Sequence, residues 1–183
     1  MRSLTAANQL TILRMLIIPA FVIVMLYDHH GWALALFVTA GLTDALDGLI
    51  ARWTGQKTTL GAWLDPMADK LLLVTTFVML SLPGGQANRF PVWLTVLVIS
   101  RDVAIVLTVA VVNMAIGSRT FRPSILGKIA TAVYIVTCGV ALLFNYLDQA
   151  SPVVDLLIYA SLAITLVSAA HYIILTTRII AES

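Results

Sequence analysis

The sequence predicts an all-α integral membrane protein, a bundle of six transmembrane helices with both termini on the cytoplasmic side. Three observations predict it. Of 183 residues, 60% are hydrophobic and only 11% charged, against roughly 25% charged in an ordinary soluble domain. The apolar residues fall into six runs, each close to the ~20 residues that cross a bilayer. The basic residues, finally, are divided very unevenly between the two ends of those runs. A chain of this length is expected to form one domain over residues 1–183.

The first run, Leu10–Tyr27, is interrupted by Arg14 and precedes Asp28-His29-His30 with no small-residue cleavage site. It reads as a helix that stays in the protein and not as a signal peptide. His30-Gly31 separates it from Trp32–Trp53, and a short turn around Gly55 leads to Gly61–Leu82, so the second and third helices are expected to be antiparallel neighbours. Pro83-Gly84-Gly85 ends the third run, and Val92–Ile116 follows, closed by Gly117-Ser118. Arg122-Pro123-Ser124 opens Ile125–Tyr146, and Ser151-Pro152 opens Val153–Thr176. No internal repeat is visible. The lone Cys138 excludes a disulfide framework.

With the N-terminus inside, the inner side holds Arg2, Arg14, Arg52, Lys57, Arg119, Arg122, Lys128 and Arg178, and the outer loops hold only Arg89. Lys70 and Arg101 lie within runs and count for neither side. This bias orients the bundle. Trp32, Trp53, Trp63 and Trp93 lie near the ends of runs, as interfacial aromatics do. His29, His30 and the pair His171-Tyr172 read as loop and interfacial residues, not catalytic ones.

Between residues 44 and 69 of this lipid-adapted chain stand four aspartates. Asp44 and Asp47 are i, i+3 on the second helix; Asp65 and Asp69 are i, i+4 on the third. Each pair projects from one face of its helix. A carboxylate at bilayer depth costs about 2.5 to 3.5 kcal/mol on insertion scales, so four together call for a cation. Pairing with Arg52, Lys57 and Lys70 is one solution. Bound divalent metal is the other, and hard oxygen ligands without Cys or His suit Mg²⁺, Mn²⁺ or Ca²⁺ rather than Zn²⁺. Gly48, Ala51 and Gly61 leave room near the carboxylates for a ligand to approach the backbone, and Arg52 offers a fork of donors to a phosphate. Together these residues describe a metal-bound diphosphate between two helices.

The whole stretch, Asp44 to Asp69, meets the pattern D-x2-D-G-x2-A-R-x8-G-x3-D-x3-D at every fixed position, and in this it resembles the CDP-alcohol phosphotransferase family. Asn8-x-x-Thr11-x-x-Arg14 with Pro19 is similar to that family's first helix. The resemblance implies transfer of a phosphatidyl group from CDP-diacylglycerol to an alcohol, with release of CMP, on two Mg²⁺ or Mn²⁺ ions. It implies Asp44, Asp47, Asp65 and Asp69 as metal ligands, and Asp69 also as the catalytic base. Asp44, Gly48, Ala51, Arg52 and Gly61 would line the nucleotide and diphosphate. It further implies a homodimer, an active site facing the cytoplasm, and a role in phospholipid biosynthesis.

For the acceptor, Arg101 interrupts the fourth run within Ser100-Arg101-Asp102, while Arg119, Arg122 and Lys128 cluster before and at the start of the fifth. A pair with Asp102 would satisfy Arg101, and lipid headgroups would satisfy the loop cations. The alternative is that Arg101, Arg122 and Lys128 bind the acceptor's phosphate. Gly127-Lys128-x-x-Thr131 is similar to family members that make acidic phospholipids, which points first to glycerol 3-phosphate as acceptor. Ser100-Arg101-Asp102 is closer to the members whose acceptor is phosphatidylglycerol, and inositol phosphate is a third acceptor. Outside the family, the same carboxylates would suit a membrane prenyltransferase or a divalent-cation transporter. Neither uses Gly48–Arg52, and the one-sided acidic cluster argues against transport.

Overall fold

A computed structural model describes residues 6–54, 59–116 and 124–181. Within these, the side chains of 6–11, 45, 47–54, 59–67, 109, 112, 113, 115, 116, 175, 176 and 178–181 lie outside the description. The described residues form six α-helices and no strand: α1 (Ala6–Leu26), α2 (His30–Thr54), α3 (Thr59–Ser81), α4 (Val92–Ile116), α5 (Ile125–Tyr146) and α6 (Pro152–Ala181). The boundaries of α4 and α5 coincide with the apolar runs. α1 starts four residues before its run and α6 continues five beyond Thr176, because helix propensity outlasts the apolar stretch.

The chain divides into two compact units. The first holds residues 1–89 and 138–150; the second holds 90–137 and 151–183. α5 contributes to both.

In the first unit, the buried positions of α1 are Arg14, Ile17, Phe21 and Met25, a stripe at helical spacing. Ala33, Phe37 and Ala40 are buried on α2, and Ala68, Leu72 and Phe77 on α3. The fully buried alanines let neighbouring backbones approach closely, as in packed membrane helices. α1 packs extensively against both α2 and α3, whereas among the described residues α2 and α3 touch each other only sparsely.

Two helix ends in this unit share one stop. Asp28 and Asp148 take positive φ, 56° and 53°. After α1, His29 N–H donates to Val24 O at 2.8 Å and Asp28 N–H to Met25 O at 3.1 Å; after α5, Gln149 and Asp148 repeat this with Phe144 and Asn145 at 3.0 and 3.2 Å. These are Schellman stops with aspartate where glycine is usual. Asp28 also accepts the Gly85 N–H at 3.1 Å, fixing the α3–α4 loop to the α1–α2 turn. Asn88 and the buried Asn145 exchange amide hydrogen bonds at 2.6, 3.1 and 3.1 Å, which closes the same end.

In the second unit, α6 presents Ser161, Thr165 and Ser168, all buried, at i, i+4, i+7. Thr137 of α5 bonds Ser161 at 2.9 Å, Tyr134 bonds Thr165 at 2.5 Å, and Arg101 of α4 donates to Ser168. Hydroxyls thus join three helices where apolar packing gains little over lipid.

The helices expose large apolar side chains all along their length: Leu16 64%, Leu26 63%, Val111 62%, Leu156 69% and Ile173 64%. Such a surface suits lipid and not water. Among the described residues, Ile125–Tyr146 and Pro152–Ile174 are long and apolar enough to cross a membrane. Trp32 and Trp93 are both exposed, in the first turns of α2 and α4.

Candidate functional site

Asp44 lies on α2 one residue after the buried Thr43, and Asp69 lies on α3 one residue after the buried Ala68. Each therefore emerges at the edge of a buried stripe, with its carboxylate about half exposed, 49% and 45% respectively. Between them sits the Arg14 guanidinium of α1, only 1% exposed. Arg14 Nη2 lies 3.1 Å from Asp44 Oδ1, and Nη1 donates to Asp69 Oδ1 at 2.5 Å. One cation on one helix thus gathers carboxylates from two others.

Arg14 is the residue the motif alone does not reveal. Pairing of the aspartates with Arg52, Lys57 and Lys70 was one of the two solutions the sequence left open; the described partner, Arg14, comes from a helix outside the Asp44–Asp69 pattern. Its signal was present: an arginine inside an apolar helix must be paired.

Asp47, Gly48, Ala51 and Arg52 follow Asp44 on α2, and Gly61 and Asp65 precede Asp69 on α3. Their side chains lie outside the described residues. Among the described residues no three His, Cys, Asp or Glu side chains gather around one point. The donor chemistry nevertheless fits a hard divalent cation. Asp44 and Asp69 supply carboxylate oxygens from two helices and already share one positive charge.

Of the expected acceptor residues, Arg101 is mostly buried. Its Nη1 donates to Asp102 Oδ1 at 2.7 Å and its Nη2 to Ser168 Oγ. Arg101 Nε is buried without a hydrogen-bond partner among the described residues. A Cβ built on Gly127 would lie 3.5 Å from Arg101 Nη2, an ordinary contact distance, and 3.2 Å from Ser124 Oγ. The structure therefore brings Arg101 against the first turn of α5, where Lys128 follows, exposed. Arg122 lies outside the described residues, as do Lys57 and Arg119.

Fold and site together define a helical membrane protein that gathers acidic side chains from adjacent helices onto one buried cation. A family model described as CDP-alcohol phosphatidyltransferase matches residues 4–177, and the chain belongs to that family. Among curated proteins it is 34% identical over 164 residues to cardiolipin synthase (CMP-forming) of Rattus norvegicus, covering 79% of this chain and 53% of that protein. The Homo sapiens protein of the same name matches over the same length at the same identity. A protein of Mycobacterium tuberculosis named probable phosphatidylglycerophosphate synthase is 38% identical over 144 residues, 75% of this chain and 65% of that one. The chain thus spans between about half and two thirds of the length of these relatives.

Proposed function

We propose that this protein transfers a phosphatidyl group from CDP-diacylglycerol to an alcohol and releases CMP. The observation that carries this reading is the convergence of Asp44 and Asp69, the first and last aspartates of the motif, on one buried cation. Family membership and the exposed apolar flanks support it: a diacylglycerol-bearing donor keeps its acyl chains in lipid while its headgroup reaches polar groups at helix ends. The six helices each cross the membrane in this reading, both termini are cytoplasmic, and the chain is one catalytic domain that works as a homodimer. The bias of basic residues toward one side supports that orientation.

Asp44, Asp47, Asp65 and Asp69 would hold two Mg²⁺ or Mn²⁺ ions. Bound there, the ions supply positive charge for the diphosphate's bridging and leaving oxygens. Gly48, Ala51 and Gly61 leave space for the cytidine and diphosphate, and Arg52 donates to a phosphate oxygen. Asp69 takes the proton from the acceptor hydroxyl. The acceptor oxygen forms its bond to the lipid-side phosphorus, the bond from that phosphorus to the bridging oxygen breaks, and CMP leaves with the electron pair. Arg101, Arg122 and Lys128 bind the acceptor's phosphate.

The acceptor is glycerol 3-phosphate, giving phosphatidylglycerophosphate. The likeness to the M. tuberculosis protein and the basic character of Lys128 and Arg101 support this. A second reading, phosphatidylglycerol as acceptor, is favoured by the mammalian cardiolipin synthases and by Ser100-Arg101-Asp102.

The test is CMP release from CDP-diacylglycerol by purified protein with Mg²⁺ or Mn²⁺, run in parallel with glycerol 3-phosphate, phosphatidylglycerol and inositol phosphate. Metal-dependent release with glycerol 3-phosphate, lost in Asp69→Asn, is the expected result. Release with phosphatidylglycerol alone moves the assignment to the second reading. No release with any acceptor removes phosphatidyl transfer to these alcohols as the function.

A further inference from the structure

Arg14 is not among the aspartate and small-residue positions of the donor motif, yet its guanidinium is the group that Asp44 and Asp69 share. It belongs to the buried stripe of α1 with Ile17, Phe21 and Met25. It therefore meets the two carboxylates from the protein interior, while the carboxylates are about half exposed on the other side, 49% and 45%. Carboxylates on adjacent helices in an apolar setting repel one another, and without a cation the helices bearing them would be pushed apart. A guanidinium can hold two carboxylates at once through its planar fork, which a lysine ammonium does less well.

We propose that Arg14 is a built-in counter-ion and positioning residue of this site. It holds Asp44 of α2 and Asp69 of α3 together in the metal-free protein. Because its positive charge lies beside the place where divalent cations would bind, it also weakens their binding, so that the fold does not depend on metal. This rests on the reading of the aspartates as metal ligands.

The test compares wild type, Arg14→Gln and Arg14→Lys as purified protein in detergent. Two quantities are read: Tm in chelator and in saturating Mn²⁺, and the Mn²⁺ dissociation constant by electron paramagnetic resonance. In chelator, Arg14→Gln melts several degrees below wild type, and most of that deficit disappears in Mn²⁺. Its Mn²⁺ dissociation constant falls about tenfold, because a positive charge a few ångströms from the cation has been removed. Arg14→Lys keeps the charge without the fork and shifts the same way by less. If Arg14→Gln does not fold in chelator, Arg14→Lys carries the test, because its deficit must also shrink in Mn²⁺.

A deficit of the same size with and without Mn²⁺, or weaker Mn²⁺ binding in the variants, overturns the role of Arg14. Mn²⁺ binding by wild type would leave the metal reading standing in that case. Absence of Mn²⁺ binding by wild type overturns the metal reading, and the role of Arg14 falls with it.

Discussion

One buried arginine in each unit meets the same problem, a full charge among apolar helices, and each meets it differently. Arg14 in the first unit takes carboxylates from two other helices, both distant in sequence. Arg101 in the second takes the carboxylate of its own neighbour Asp102 and a hydroxyl of α6. The first arrangement leaves two half-exposed carboxylates held by one cation. The second makes a nearly neutral local pair, buttressed by a hydroxyl on α6. Two half-exposed carboxylates carry more negative charge than the one guanidinium between them neutralises, so the first arrangement still attracts cations; the second leaves little net charge. In the proposed function the aspartates serve the donor and Arg101 with Lys128 the acceptor phosphate, and the two arrangements can be tested separately.

The strongest way to break this comparison is at Asp69. Asp69→Asn removes the proposed proton acceptor and one of the two charges on Arg14. CMP release should fall by about 10² to 10⁴-fold, the usual contribution of general base catalysis. Bound Mn²⁺, measured by electron paramagnetic resonance, should fall less, since three aspartates remain. If release survives within a few-fold of wild type, Asp69 is a structural partner of Arg14 and not the base.

What the sequence made legible here divides along a physical line. Helix number and limits were readable because every span needs its own apolar run, and punctuation such as Pro83-Gly84-Gly85 or Arg122-Pro123-Ser124 stops each one. The aspartates were readable because carboxylates stand out against such runs. The pairing of Arg14 was not. α1 is apolar on all sides but for Arg14, whose charge demands a partner without naming it, and the spacing of its apolar residues carries no phase. A helix in lipid needs no polar face, and the signal that orients helices in water is lost. The same blindness hid Ser168 as the partner of Arg101, since an isolated serine in α6 looks like any small packing residue.

A smaller effect sharpens the acceptor side. Lys128 is exposed at the start of α5 beside Gly127, which itself abuts Arg101. Lys128→Ala should raise the KM for the phosphorylated acceptor roughly tenfold, the value of one charged hydrogen bond, with kcat and the donor KM unchanged. That pattern identifies binding lost equally from ground and transition states. An unchanged acceptor KM removes Lys128 from the acceptor site. Arg101→Gln is expected to raise the same KM, but it also breaks the ion pair with Asp102, so its Tm falls as well. The contrast between an exposed and a buried base separates recognition from support.

The smallest effect concerns what holds the second unit together. Thr137 and Ser161 share a hydrogen bond of 2.9 Å, and Thr137 also donates to Val133 O within its own helix at 2.8 Å. Thr137→Val keeps the shape and removes the hydroxyl. In lipid the loss should be only about 0.6 kcal/mol, typical of hydrogen bonds between membrane helices, because unfolded helices also find partners. Activity should be unchanged. A much larger loss of stability, read by thermal melting in detergent, would mean that Thr137, Tyr134 and Arg101 act as one polar network along α6. Arg101 would then be held in place by hydroxyls well removed from it, and the second unit would resemble the first after all, with one charge organised by several helices.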